Sequence, residues 1–290
     1  MADFVFLDLE DAVVEERRQE ARRFAIAAIG DISWREKALA VRINAPDTVH
    51  MYRDVVDILE QASERLDTLL LPKIERPEEV FAIDLLATQI EAATGRKKRV
   101  AFEIVIETAA GMAAVNEIAS ASARIEALHF GVGDYSLSLK SNGTQIGGPN
   151  PHYAVLTDAD SEGKRQRHWG DMWHYATSRM LIAARAHNLR AIDGPFADYG
   201  DMDGYKALAS SAAALGLDGK WAIHPVQIPV ANAAFTPPAQ EVEKARHILR
   251  LMRDAKERGK AAVGHDGKLL DIASIKQAEM VLQRAALFTD

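Results

Sequence analysis

Glu107 and Asp134 close two successive apolar runs, "VAFEIVIE" and "IEALHFGVGD". If these runs are neighbouring parallel strands, their tips lie about 5 Å apart. Two carboxylates at that spacing can share one cation. Carboxylates completed by waters and substrate oxygens are the usual way of holding Mg²⁺. The alternative is a pair of unrelated acids, one of them neutralised by Arg42 or Lys73. More charge gathers at similar places. Asp8, Glu10 and Asp11 end the core-like run "FLDLEDAV"; Arg42 lies in "ALAVRIN", Lys73 in "TLLLPKI" and Asp193 in "LRAIDGPF".

Other chemical candidates carry less weight. "GVGDYS" is glycine-rich but lacks the full dinucleotide fingerprint. Gly131 and Gly133 are better read as letting backbone approach a metal or substrate. His224 in "AIHP" is either a base, a ligand or a structural histidine ahead of a proline. His168 and His174 flank Trp169 and Trp173 without a third partner at metal spacing, so no zinc site is assigned.

These side chains need elements to carry them. Seven β-type runs alternate with amphipathic stretches such as "TVHMYRDVVDILEQASERL" and "RPEEVFAIDLLATQIEAATG". That rhythm denotes parallel β/α units, either an open doubly wound sheet or a barrel. Parity favours the barrel. In "ALAVRIN", Leu39, Val41 and Ile43 share one face and Ala38, Ala40, Arg42 and Asn44 the other. In "FEIVIE", Phe102, Ile104 and Ile106 oppose Glu103, Val105 and Glu107. The apolar faces should meet helices, and the faces ending in charge should line a barrel's interior and mouth. Barrel enzymes place their chemistry at the C-terminal ends of strands. Charges are expected at such ends wherever strands reach water, but here six of the seven runs carry them.

The expected fold is therefore a (β/α)8 TIM barrel over residues 1–235. A C-terminal helical extension, residues 236–290, would pack on the barrel or on a neighbouring subunit. With seven runs in hand, the first strand is expected to be missing from the sequence. Lys140 to Trp173 reads as a long mobile loop over the mouth. The extension reads as a long charged helix after Pro237-Pro238, a two-strand turn at Asp266-Gly267 and a last helix.

Composition bounds the function. The 290 residues carry a net charge of −7 and no cysteine. Disulfides, thiolate metal sites and cysteine nucleophiles are excluded. The acidic balance argues against nucleic-acid and anionic-membrane partners, though a local Arg/Lys cluster can still take an anionic substrate. No apolar run approaches the roughly 18 residues of a membrane span, and the N-terminus lacks a signal-peptide pattern, so the default compartment is the cytoplasm.

The motifs "FLDLEDAV", "VRIN", "LLLPKIE", "IETAAGM", "GVGDYS", "DGPFADY", "KWAIHPVQIPVANAAFTP" and "GKLLDIASIKQAE" occur in this order. Together they resemble the HpcH/HpaI aldolase and citrate lyase β-subunit superfamily over essentially the whole chain. "RHWGDMWHY" is similar to the loop of its malyl-CoA lyase branch. The resemblance implies a Mg²⁺-dependent carbon–carbon lyase, with Mn²⁺ as a possible substitute. Its substrates would be malyl-CoA or β-methylmalyl-CoA, interconverted with glyoxylate and acetyl-CoA or propionyl-CoA. It implies Glu107 and Asp134 as metal ligands and Arg42 as the substrate and oxyanion arginine. It also implies Asp271, in "LLDIAS", as an acid/base supplied by a neighbouring subunit of a homotrimer or homohexamer. Asp8, Glu10, Asp11, Lys73 and Gly133 would support the metal or the substrate. A preceding strand and helix, with basic residues that help hold CoA, are further implied. The rivals are a malyl-CoA thioesterase, a citrate-lyase-type subunit and a non-catalytic CoA-binding module.

Overall fold

The computed structural model describes residues 1–62, 64–143, 145–150 and 152–288. They fall into two compact units, Met1–Ala231 and Asn232–Asp290.

The strands of the first unit are β1 (Phe4–Asp8), β2 (Ala38–Arg42), β3 (Thr68–Leu71), β4 (Ala101–Ile106), β5 (Ile125–Phe130), β6 (Ala154–Leu156), β7 (Arg167–Trp169), β8 (Arg190–Asp193) and β9 (Gly219–Lys220). Among the described residues, seven form one sheet in the order β1-β2-β3-β4-β5-β8-β9, and every neighbouring pair is parallel. Helices Arg18–Asp31, Met51–Gln61, Pro77–Thr94, His174–Ala186 and Met202–Leu215 alternate with them. Local chemistry sets these helices. Pro77 occupies the first turn of Pro77–Thr94, Glu79 accepts the Arg76 N–H at 3.2 Å, and Gly95 stops the helix at φ 70°.

Both faces of β2 and β4 are buried, Ala40, Arg42, Glu103, Val105 and, just after β4, Glu107 included. Leu39, Val41, Ile43, Phe102, Ile104 and Ile106 are all buried, and all four residues of β3, "TLLL", are too. A parallel sheet covered by helices needs such apolar strands.

The sheet is curled. Laid flat, six strand spacings would set β1 and β9 about 29 Å apart. Instead the Phe6 ring on β1 lies 4.9 Å from the ring of Trp221, the residue after β9. His129 on β5 lies 5.8 Å from the same indole and 6.4 Å from Phe4. Side chains from both edges and the middle of the sheet thus meet on its concave side. β1 and β9 remain its edges among the described residues.

One expectation needs correcting. Lys140 to Trp173 is not simply a loop, because β6 and β7 pair within it as an antiparallel ribbon. Asp160 turns the chain between them: its Oδ1 accepts the N–H groups of Glu162 and Lys164, and Gly163 adopts φ 79°. Strands of three residues are too short to show an alternation in sequence.

The second unit contains helix Ala239–Glu257, the antiparallel pair β10 (Val263–His265) and β11 (Lys268–Leu270), and helix Ile272–Ala286. Asp266 and Gly267, at φ 50° and 72°, make the two-residue turn that Asp-Gly favours.

Candidate active site

The strand ends bring the charged residues together. Asp8 and Arg42 are register partners at the ends of β1 and β2. Arg42 grips Asp8 with two hydrogen bonds, Nε to Oδ1 at 2.7 Å and Nη2 to Oδ2 at 2.5 Å. Its Nη1 stands 3.0 Å from Glu10 Oε2 and 3.7 Å from Asp11 Oδ2. The guanidinium also lies 5.9 Å from the Phe6 ring centre and 5.8 Å from that of Trp221. Burial works against its charge, but the Asp8 hydrogen bonds and the Asp8, Glu10 and Asp11 charges push its pKa up.

Lys73 follows β3 in a left-handed backbone conformation, φ 51°, which costs a non-glycine residue about 1–2 kcal/mol. That conformation accompanies two roles. Its backbone N–H donates to Glu107 Oε1 at 2.8 Å. Its ammonium lies 2.5 Å from Glu10 Oε1, 3.1 Å from Asp11 Oδ1 and 3.6 Å from Asp134 Oδ2. Burial opposes the ammonium's charge, yet Glu10 and Asp11 raise its pKa.

Glu107 follows β4 and is buried. Burial, and then the charges of Glu10 and Asp134, push its carboxyl up to about 8. Gly131 makes room for it: a Cβ there would come within 2.4 Å of both Cβ and Oε2 of Glu107. Asp134 lies in the first turn of helix Val132–Ser138, directly after β5. Gly133 is less constrained, since a Cβ there would make only ordinary contact with Ile146.

A divalent cation suits this donor set. Five carboxylates (Asp8, Glu10, Asp11, Glu107 and Asp134) face two cations, Arg42 and Lys73. Glu10 Oε2 is buried without a hydrogen-bond partner despite its charge contact with Arg42. Burial also raises the Glu10 pKa, against Arg42 and Lys73. Excess negative charge around the buried Glu10 and Glu107, whose carboxyl pKa values burial raises, is what a bound cation would offset.

The sequence profile described as HpcH/HpaI aldolase/citrate lyase matches residues 1–225. The chain belongs to the HpcH/HpaI aldolase/citrate lyase family. Within it, an L-malyl-CoA/beta-methylmalyl-CoA lyase from Cereibacter sphaeroides is 46% identical over 99% of this chain and 89% of its own length. A malyl-CoA/beta-methylmalyl-CoA/citramalyl-CoA lyase from Chloroflexus aurantiacus is 34% identical over 97% of this chain and 80% of its own. CitE from Mycobacterium tuberculosis, crystallised with magnesium, acetoacetate and coenzyme A, superposes with a TM-score of 0.72 at 28% identity, covering 98% of this chain and 90% of that one.

The remaining candidates of this family member make other contacts. Asp271 belongs to the second unit, where it caps helix Ile272–Ala286: its Oδ1 accepts from Ala273 N at 2.9 Å and Ser274 N at 3.3 Å. Asp193 is held by buried Lys220 at 2.6 Å. His224 Nδ1 accepts from Val226 N, and its ring stacks on Tyr199 at 4.7 Å, a structural use. Among the described residues no group of three or more His, Asp or Glu is placed to hold a metal by itself, and no helix is long and apolar enough to cross a membrane. Sequence reasoning missed His129 and Trp221. Their runs were recognised, but a contact between residues 92 positions apart has no sequence signature.

Proposed function

We propose that this chain is a Mg²⁺-dependent carbon–carbon lyase that interconverts malyl-CoA or β-methylmalyl-CoA with glyoxylate and acetyl-CoA or propionyl-CoA. One observation carries the reading: Arg42, Lys73, Glu107 and Asp134 converge at the ends of four successive parallel strands. They do so in a chain closely similar to lyases of those names.

Glu107 and Asp134 would hold the cation, with Mn²⁺ as a possible substitute. When bound, it supplies Lewis-acid polarisation of a carbonyl oxygen. The chain's own groups do the rest. In the condensing direction a proton leaves the thioester α-carbon, and a carbon–carbon bond forms to the aldehyde carbon of glyoxylate. The aldehyde oxygen then takes up a proton. Arg42 presents fixed positive charge to the enolate oxygen. Lys73 holds the acids in place from both its ammonium and its N–H. Asp271, by family resemblance, removes the α-proton, delivered by the tail of a neighbouring copy in a homotrimer or homohexamer. The curled sheet is read as part of a (β/α)8 barrel, residues 236–290 as its extension, and the cytoplasm as the compartment.

The test is product identity. Purified protein with malyl-CoA and Mg²⁺ should yield glyoxylate and acetyl-CoA, and excess chelator should stop it. Malate and free CoA would instead assign a thioesterase, and no reaction a non-catalytic CoA-binding module.

A further inference from the structure

A buried polar chain crosses the concave side of the sheet. Glu103 on β4 and His129 on β5 are 1% and 3% exposed. Glu103 Oε2 meets His129 Nε2 at 2.6 Å, and Glu103 Oε1 accepts from Arg190 Nη2 on β8 at 2.8 Å. Trp221 Nε1 donates to His129 Nδ1 at 2.8 Å. An indole N–H can only donate, so His129 Nδ1 must carry its lone pair, and the Nε2–H must donate to Glu103. Each member therefore sets the orientation of the next. Burial works against the Glu103 charge, and the hydrogen bond from His129 and the Arg190 guanidinium lower its pKa.

Packing alone gives no reason for this chain, because an apolar layer of equal volume would stabilise the sheet as well. Its free end supplies one. The indole it fixes lies 5.8 Å from the Arg42 guanidinium, and the Phe6 ring lies 4.9 Å from that indole and 5.9 Å from the same guanidinium. Asp8 holds one edge of the guanidinium by its fork, and the two rings lie beside it.

We propose that Trp221 is a positioning residue for Arg42. The Glu103–His129–Trp221 chain fixes the indole, and the indole with Phe6 fixes the plane in which Arg42 meets the substrate. This rests on the reading of Arg42 as the substrate and oxyanion arginine. If the plane matters, disturbing it should weaken an interaction made in the transition state more than binding of the thioester.

Two histidine substitutions separate positioning from mere packing. His129→Asn keeps an acceptor near the Nδ1 position, whereas His129→Gln keeps a donor near Nε2 but no acceptor for the indole. With malyl-CoA and Mg²⁺, Trp221→Phe and His129→Gln should each lower kcat about tenfold while KM stays within about threefold, and His129→Asn should retain most of the activity. The indole ¹⁵N–¹H resonance of Trp221 should move in His129→Gln and stay near its native position in His129→Asn. Arg42→Lys is the control and should be nearly inactive. Native kcat in Trp221→Phe and His129→Gln beside an inactive Arg42→Lys would overturn the positioning role alone. A fully active Arg42→Lys would overturn the reading of Arg42 and this role with it. An unmoved Trp221 resonance in His129→Gln would overturn the hydrogen-bonded chain itself, whatever the activities. Should His129→Gln fail to fold, Trp221→Phe decides the kinetic point.

Discussion

Lys73 donates its backbone N–H to Glu107 Oε1 at 2.8 Å from a left-handed conformation, φ 51°. The geometry that costs the backbone energy is the one that aims the amide at the buried carboxylate while the ammonium reaches Glu10. Strain of this kind is tolerated where surrounding contacts over-determine it.

Lys73→Gly and Lys73→Ala should therefore part company. Both lose the ammonium, so both should lose most turnover. Glycine adopts φ 51° freely, and Lys73→Gly should be about 1 kcal/mol more stable than Lys73→Ala. Urea unfolding of the pair checks this; equal stabilities would mean that the residue carries no backbone strain.

Glu107 sets a pH dependence in the cation-free protein. Its carboxyl is raised from 4.5 to about 8, so the folded state binds this proton more tightly than the unfolded state. The resulting stability is fully present below about 4.5 and is lost as pH rises through about 8. Melting temperature in chelator should fall across that window, and Mg²⁺ should restore more of it at pH 8.5 than at pH 6. Glu107→Gln should flatten the dependence, abolish the Mg²⁺ response and stop turnover while the protein remains folded.

Gly131→Ala should act on the same carboxylate through sterics. Its φ of −84° suits alanine, so the effect comes from a methyl group placed 2.4 Å from Glu107 Cβ and Oε2. Displacing a packed side chain costs about 1–3 kcal/mol. Calorimetric Mg²⁺ affinity should drop at least about tenfold. An unchanged affinity would place Glu107 outside the cation site.

Asp271 can be tested apart from its capping role. Asparagine caps helices about as well as aspartate, whereas alanine costs about 1 kcal/mol. Asp271→Asn should melt like the native protein yet be inactive. Mixing it with Glu107→Gln subunits should restore some activity if the site is shared between copies. No recovery after confirmed subunit exchange would exclude sharing.

The strand ends were legible in the sequence because parity is a local signal. Once Leu39, Val41 and Ile43 claim the helix side, Arg42 must face the other way. Glu107 was legible as the tip of its strand, whereas Asp134, expected to end the next strand, sits in the first turn of the helix that follows it, because β5 stops at Phe130. Lys73 was visible as a charge but not as a strained residue, since φ leaves no mark on residue type unless glycine is chosen. The interior chain was invisible for another reason: Glu103, His129 and Trp221 meet only through the curl of the sheet. β6 and β7 escaped because three residues cannot display a period.

The pairing of Asp8 with Arg42 gives β1 a second duty. Slip β1 by one residue against β2, and Leu7 or Leu9 would stand opposite the arginine while Asp8 turned toward the helices. Paired with β2 alone among the described residues, this edge strand thus serves as the gauge that sets the arginine's alignment. A bulky fusion or tether that tugs on it would register first as lost turnover, with the circular dichroism spectrum still native.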